Sequence, residues 1–118
     1  MQKLAMLSLT LFIVSLLGTI LLCSSEDLRA QERVAIAIAV KNKRFEPTEI
    51  RGPANRPLSI QVKNLDDAPI EFESVSLRVE KVIAAGAAGV VNIRALAPGR
   101  YEFFDDFHPQ TRGVLIVQ

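Results

Sequence analysis

The sequence is poor in the residues on which many scaffolds and active sites depend. Its 118 residues contain no Trp, one Cys (Cys23) and one His (His108). A single Cys excludes a disulfide framework, and one Cys with one His excludes a zinc finger of the Cys/His kind. A catalytic Cys–His pair is excluded after residue 30, because Cys23 is the only thiol. Chemistry in that part of the chain must therefore rest on carboxylates and one imidazole.

The chain also lacks an excess of either charge. Lys and Arg total 14 and Asp and Glu total 13, which gives a formal net charge of +1. Such a chain has no overall field to gather nucleic acid or an anionic membrane surface, so we expect no nucleic-acid partner. A length of 118 residues suffices for one domain and excludes a two-domain enzyme.

A long apolar run marks the N-terminus. Residues 4–23 contain no charged residue, and Lys3 precedes them. A basic start, an apolar middle and a polar end are typical of a secretory signal, with cleavage expected after Ala30 or Ser25. The run is also long enough to cross a hydrocarbon core of ~30 Å as an uncleaved helix. We therefore predict that residues 1–30 are a signal peptide or membrane anchor and that residues 31–118 form one periplasmic domain, whose only membrane contact is an uncleaved N-terminal segment.

Alternation of large apolar residues with small or polar ones dominates residues 31–118. Residues 34–40 and 58–63 alternate in this way, and further short apolar segments lie next to Gly and Pro turns. A period of two predicts strands, and no helical stripe is present after the leader. About seven short strands predict an all-β fold, a two-sheet antiparallel Greek-key sandwich. Parity predicts the inward-facing core, which comprises Ile36, Ile38, Ile60, Val62, Val91, Ile93, Tyr101, Phe103, Leu115 and Val117.

The candidate functional residues are acids and the one imidazole. Asp105 shares one strand face with Tyr101 and Phe103, so alternation brings its carboxylate to the inner side at the strand end. A lone buried carboxylate is costly and needs a cation or a proton, and His108 can reach the same rim. Oxygen ligands with one imidazole suit Cu(II) or iron better than Cu(I). The candidate metal ligands are His108, Asp105, Asp106, Glu73, Glu71 and Glu80.

Two qualifications apply to this set. Asp105 and Asp106 are adjacent and face opposite sides of a strand, so one of the two is expected to join a given site. The alternative is that these acids pair with Lys and Arg on a solvated surface and that His108 is structural. The residues alone leave both interpretations open.

Several segments carry a family resemblance: residues 45–50, 58–64, 71–74, 80–83 and 98–108, together with Gly113. With these segments residues 34–118 resemble a cupredoxin, in particular the cupredoxin-like domains of the EfeO type in bacterial periplasmic iron-uptake systems. Blue-copper proteins of this family bind copper through a His, a Cys, a second His and usually a Met. Here Ile70 stands at the first His position, Asp105 at the Cys position and His108 at the second His position, and no Met follows. The resemblance therefore implies no type 1 copper site.

The resemblance implies a non-catalytic periplasmic protein that handles iron or Cu(II), beside a permease or another iron-uptake component. The alternative is a cupredoxin-fold interaction module without a metal, in which Ile70 and Phe107 form an apolar patch for a partner protein. A third possibility, an oxidase acting on ferrous iron, has no independent ligand set in the sequence.

Overall fold

A computed structural model describes residues 32–118, and the predicted signal peptide or anchor at residues 1–30 lies outside this part of the chain. Residues 32–118 contain nine strands and no helix. The strands are β1 (Val34–Lys41), β2 (Arg44–Glu46), β3 (Glu49–Gly52), β4 (Leu58–Asn64), β5 (Ile70–Ser74), β6 (Val79–Ile83), β7 (Ala88–Ile93), β8 (Gly99–Asp105) and β9 (His108–Val117). Among these residues there is no helical segment with the length and apolar character that crossing a bilayer requires.

The strands form two sheets. Sheet 1 has the order β2-β1-β4-β7, and sheet 2 has the order β3-β9-β8-β5-β6. The predicted two-sheet all-β sandwich is confirmed. The pairings of β1 with β4 and of β3 with β9 are parallel, so both sheets are mixed rather than purely antiparallel as predicted. Both parallel pairs join strands that are distant in sequence, for which no hairpin is required.

The core lies between the two sheets and follows the alternation of the strands. Eight of the ten predicted core residues are buried, while Ile36 and Tyr101 are half-buried and pack against the others. The core also contains buried apolar residues that the predicted inward-facing set left out. Most of them lie in short strands or turns, whereas Val40, Leu58 and Val114 lie in longer strands. The full set of these additional core residues is Val40, Phe45, Ile50, Leu58, Ile70, Phe72, Leu77, Ile83, Leu96 and Val114.

Three buried phenylalanine rings join the sheets at the centre of the core. Phe45 of β2 meets Phe103 of β8 edge to face at a centroid distance of 4.9 Å, and Phe103 stacks on Phe72 of β5 at 4.9 Å. Gly113 of β9 lies directly beside the Phe103 ring, and a Cβ atom there would overlap it. This close approach explains why glycine occupies the position.

Two polar residues organise one end of the sandwich. The carboxylate of Asp66 accepts the backbone N–H groups of Asn42 (2.7 Å) and Lys43 (2.9 Å), which form the two-residue β1–β2 turn with positive φ angles. Asn64 is fully buried, and its Nδ2 lies within 3.3 Å of the carbonyl oxygens of Ala68, Ile83 and Ala84. Asn64 thus ties the end of β4 in sheet 1 to the end of β6 in sheet 2.

Candidate functional site

Strand β5 places two glutamates on the outer face of sheet 2. Ile70, Phe72 and Ser74 are buried, so the alternating residues Glu71 and Glu73 point outward and are half-buried. On the neighbouring strand β6, Glu80 lies directly opposite Glu73. Like charges directly opposite one another in a sheet are destabilising.

The turn after β8 brings a third carboxylate to these glutamates. The backbone N–H of Asp106 donates to the carbonyl oxygen of Glu71 at 2.9 Å, which holds the turn against the beginning of β5. Glu71, Glu73 and Asp106 each offer one carboxylate oxygen, and the three oxygens lie within 4.8 Å of one another. We call these three residues the acidic cluster.

The acids of the cluster disfavour one another's charge. The pKa of Glu71 is raised above its ordinary value of 4.5, mainly by a side-chain hydrogen bond with Glu80. Desolvation and repulsion from the carboxylates of Glu80, Asp106 and Glu73 raise this pKa further. Desolvation, followed by repulsion from Asp106 and Glu80, raises the pKa of Glu73. In residues 32–118 the one Lys or Arg in a salt bridge is Arg51, which pairs with Glu49, so no Lys or Arg there lies within 4.0 Å of a carboxylate oxygen of the acidic cluster.

Asp105 is buried in a separate place, at the inner end of β8. Its side chain is 1% exposed, and its Oδ2 lies 2.8 Å from Nδ1 of His108. Its Oδ1 accepts the backbone N–H groups of Glu71 (2.9 Å) and Phe107 (3.1 Å). These three contacts satisfy both carboxylate oxygens, and no buried side-chain N or O atom in residues 32–118 lacks a hydrogen-bond partner. We call this arrangement the Asp105–His108 pair.

The structure thus divides the six predicted ligands between two places. Glu71, Glu73 and Asp106 converge on the outer face of sheet 2, and Glu80 lies beside them. Asp105 and His108 converge on each other at the end of the sandwich. Asp105 and Asp106 have opposite environments, buried and exposed, as alternation predicts.

Sequence reasoning did not include two neighbours of the cluster, Phe104 and Arg112. Phe104 lies opposite Glu73 in the β5–β8 register, and the Arg112 guanidinium stacks over the Phe104 ring at 5.4 Å from its centroid. The alternation of β8 could have placed Phe104 on the outer face, because Phe103 is inward. Arg112 engages an aromatic ring rather than the acids, although it lies on the same face.

The family of the chain follows from comparison with known proteins. The model of the family described as "Cupredoxin-like domain" matches residues 12–117. The chain is a member of the cupredoxin-like domain family. An uncharacterized protein of Rickettsia prowazekii (strain Madrid E) is 34% identical to this cupredoxin-like protein over 83 residues, which cover 70% of this chain. Those residues cover 66% of the relative, so the match spans slightly less than two thirds of its length.

Solved structures of copper proteins share the fold. Auracyanin A, a "blue" copper protein from Chloroflexus aurantiacus, is 16% identical with a TM-score of 0.62, and the match covers 74% of this chain and 100% of that one. The metal-binding domain of the Cu(I)-exporting P-type ATPase CopA of Streptococcus pneumoniae, solved with Cu(I), is 17% identical with a TM-score of 0.65 and coverages of 75% and 97%. A mutant of amicyanin in the reduced state is 18% identical with a TM-score of 0.58 and coverages of 71% and 82%.

The residues of this cupredoxin-like domain do not fit a type 1 copper ion. A carboxylate, that of Asp105, stands where the resemblance expects a thiolate, and the fully apolar Ile70 stands where it expects an imidazole. Nδ1 of His108 already contacts Asp105. The predicted apolar surface patch of Ile70 and Phe107 is wrong for Ile70, which is only 2% exposed. Phe107 is 47% exposed. Ile70 is buried because it begins β5 on its inward side.

Proposed function

We propose that this protein binds a metal ion, Cu(II) or iron, through the acidic cluster. The observation that carries the proposal is the convergence of three carboxylate oxygens within 4.8 Å. Oxygen ligands of this kind suit hard or borderline ions, and a bound cation would replace the mutual repulsion of the acids by attraction. Two proteins of similar fold support a metal ion as the ligand, since auracyanin A is a blue copper protein and the CopA domain was solved with Cu(I).

In this proposal the Asp105–His108 pair supports the cluster rather than joining it. Asp105 accepts the N–H of Glu71, and the N–H of Asp106 donates to the carbonyl of Glu71. Together these bonds fix the turn after β8 against β5, and they keep Asp106 beside the two glutamates. Ligand-positioning contacts of this type often matter nearly as much for metal affinity as the ligands themselves.

The cellular role that we propose is non-catalytic metal handling in the periplasm, of the EfeO type. The leader-like residues 4–23 and the family resemblance support it. The bound ion would be cargo, received from or passed to a permease or another uptake component. Half-exposed ligands on a sheet face suit such exchange better than a closed cage, because a partner's ligands can approach them.

A calorimetric titration of the metal-stripped protein with Cu(II), Fe(III) and Zn(II) tests the proposal. We expect stoichiometric binding of Cu(II) or Fe(III) that Glu73→Gln weakens at least about tenfold, because it removes one charged ligand. Glu46→Gln, which changes an exposed glutamate on sheet 1, is the matched control and should bind like the wild type. Binding that survives Glu73→Gln and Asp106→Asn but is lost in His108→Ala would move the site to the Asp105–His108 pair and contradict the proposal.

A second candidate function is an interaction module that binds no metal. The internally satisfied Asp105–His108 pair favours it, because both oxygens of the buried Asp105 carboxylate have partners within the domain without an ion. This candidate predicts no heat of binding with any of the three ions and a melting temperature that the ions do not change. The titration above therefore separates the two candidates.

A further inference from the structure

Strand β1 has an open edge over its first five residues. On one side β1 pairs with β4 from Val34 to Val40. On its other side β2 pairs only with Ala39, Val40 and Lys41, because the chain leaves sheet 1 after Glu46 and enters sheet 2 as β3. Within residues 32–118, residues 34–38 therefore have a strand neighbour on one side only.

The direction of the backbone groups shows which atoms this edge presents. The N–H of Val34 donates to the carbonyl of Pro57, and the carbonyl of Val40 accepts the N–H of Leu65, so even-numbered residues of β1 turn their backbone groups toward β4. The odd-numbered residues turn theirs the other way, where Ala39 meets Glu46 of β2. Ala35 and Ala37 are exposed, and no hydrogen bond within residues 32–118 reaches their outward N–H and C=O groups.

Three other sheet edges in the described part of the chain carry charges that discourage pairing. The edge strands β2, β3 and β6 contain Arg44 and Glu46, Glu49 and Arg51, and Glu80 and Lys81. The fourth edge strand, β7, is uncharged but contains Gly89, and a glycine inside a strand weakens that strand. Residues 34–38 contain neither a charge nor a proline, two of the usual protections of an edge, and no glycine that would weaken the strand.

We propose that this open edge binds a second copy of the chain, with the two β1 strands antiparallel about a two-fold axis. The register that fits pairs Ala35 with the partner's Ala37 and places Ile36 opposite the partner's Ile36. In this register the outward N–H and C=O groups of Ala35 and Ala37 in both copies form four hydrogen bonds. The pairing ends before Ala39, because Ala39 is paired with Glu46 of β2. Sheet 1 then continues through the axis into its copy.

Three properties of the edge favour its own copy as the occupant. The segment is uncharged, so two copies meet without like-charge repulsion. Its length is set by the beginning of β1 and by the pairing of β1 with β2, and in this register residues 34–38 of the two copies match in length. Val34 and Ile36 are half-buried side chains of the core, and each would be covered by an apolar residue of the copy. Five residues a side bury far less than the ~1,600 Å² of a standard interface, so the dimer is weak.

Disulfide trapping of the full-length protein tests the register. In a Cys23→Ala background, Ile36→Cys places two thiols opposite each other at a non-hydrogen-bonded position, where Cβ atoms lie about 4.5–5.5 Å apart. Val90→Cys, an exposed residue of β7 at the opposite edge of sheet 1, is the matched control. We expect mild oxidation to link most of the Ile36→Cys protein and little of the control. Equal yields for both variants, or no linked dimer for Ile36→Cys, would overturn the proposal.

Sedimentation of the protein without added cysteines gives an independent measurement. The wild type should shift from monomer toward dimer as its concentration rises into the high micromolar range. Ala37→Pro removes an N–H that makes no bond within its own sheet, so the domain should stay folded while the association constant falls about tenfold or more. A wild type that stays monomeric, or a dimer that Ala37→Pro does not weaken, contradicts the proposal.

Discussion

Asp105 and Asp106 are neighbours in the chain, but their carboxylates lie in different surroundings. Asp105 is buried and accepts contacts from His108 and from two backbone N–H groups. Asp106 is exposed, and its carboxylate lies beside Glu71 and Glu73. The first carboxylate therefore fastens the turn between β8 and β9, whereas the second adds to a local excess of negative charge.

Asp105→Ala should lower the free energy of unfolding by about 3 kcal/mol, because it leaves two backbone N–H groups and an imidazole nitrogen without their acceptor. Asp106→Ala, which removes the adjacent acid, should not lower it. Urea unfolding of both variants at neutral pH measures the difference. Equal losses would mean that the hydrogen bonds of Asp105 contribute no more than a surface acid does.

The raised pKa values of Glu71 and Glu73 predict how the metal-free protein responds to pH. The folded state holds protons that the unfolded state has released above the ordinary pKa of 4.5, so stability falls as pH rises from there through the raised values. Glu73→Gln removes part of this penalty. We therefore expect the variant to have a higher urea midpoint than the wild type at pH 7 and no such advantage below pH 4, while Glu46→Gln follows the wild type at both.

At the scale of the strands, the alternation of the sequence predicted which side chains are buried in the long, regular strands but not in the short ones. The residues of β4, β7 and β9 that were predicted inward are buried. Alternation breaks down between β5 and β6, where Val75 is 80% exposed and Leu77 is buried, because residues 75–78 form a turn with a positive φ at Arg78. Strands β2 and β3 have three and four residues, too few for a period to appear.

The sequence could identify the acids but not their grouping. Asp105 is the last residue of β8 and is buried, whereas Asp106 lies in the following turn and is exposed. The neighbours of Asp106, however, depend on the pairing of β5 with β8, which brings Phe72 level with Asp105. These strands are about thirty residues apart, and no local pattern fixes which strands of a sandwich become adjacent.

The three phenylalanines that connect β2, β5 and β8 predict the cost of removing one ring. Phe103→Ala should lower the free energy of unfolding by about 3–5 kcal/mol, since the ring is fully buried between two others. Phe107→Ala is the matched control, because Phe107 is 47% exposed and four residues away; its cost should be below about 1 kcal/mol. Thermal and chemical denaturation of the two variants check this, and similar losses would contradict the packing described for Phe103.

At the scale of the whole molecule, a bound metal ion should stabilise the fold. A ligand that binds only the folded state at about 100 times its Kd adds about 2.7 kcal/mol, which is measurable as a rise in Tm. We expect this rise for the wild type and for Glu46→Gln with the ion that binds, and no rise for a variant with Gln or Asn at Glu71, Glu73 and Asp106. Melting by circular dichroism with and without a chelator measures it, and an equal rise in all three proteins would place the ion elsewhere.

Strand β9 lies between β3 and β8, near the middle of sheet 2, and it is the latest of the nine described strands to be synthesised. Its parallel partner β3 is made about sixty residues earlier. Until residues 108–117 exist, β3 has no strand to join in sheet 2, and the inner faces of both sheets lack part of their cover. Pairings between such distant segments also form slowly. Sheet 1 contains no part of β9, so its pairings can form first, whereas sheet 2 can be completed only after the ninth strand has been released.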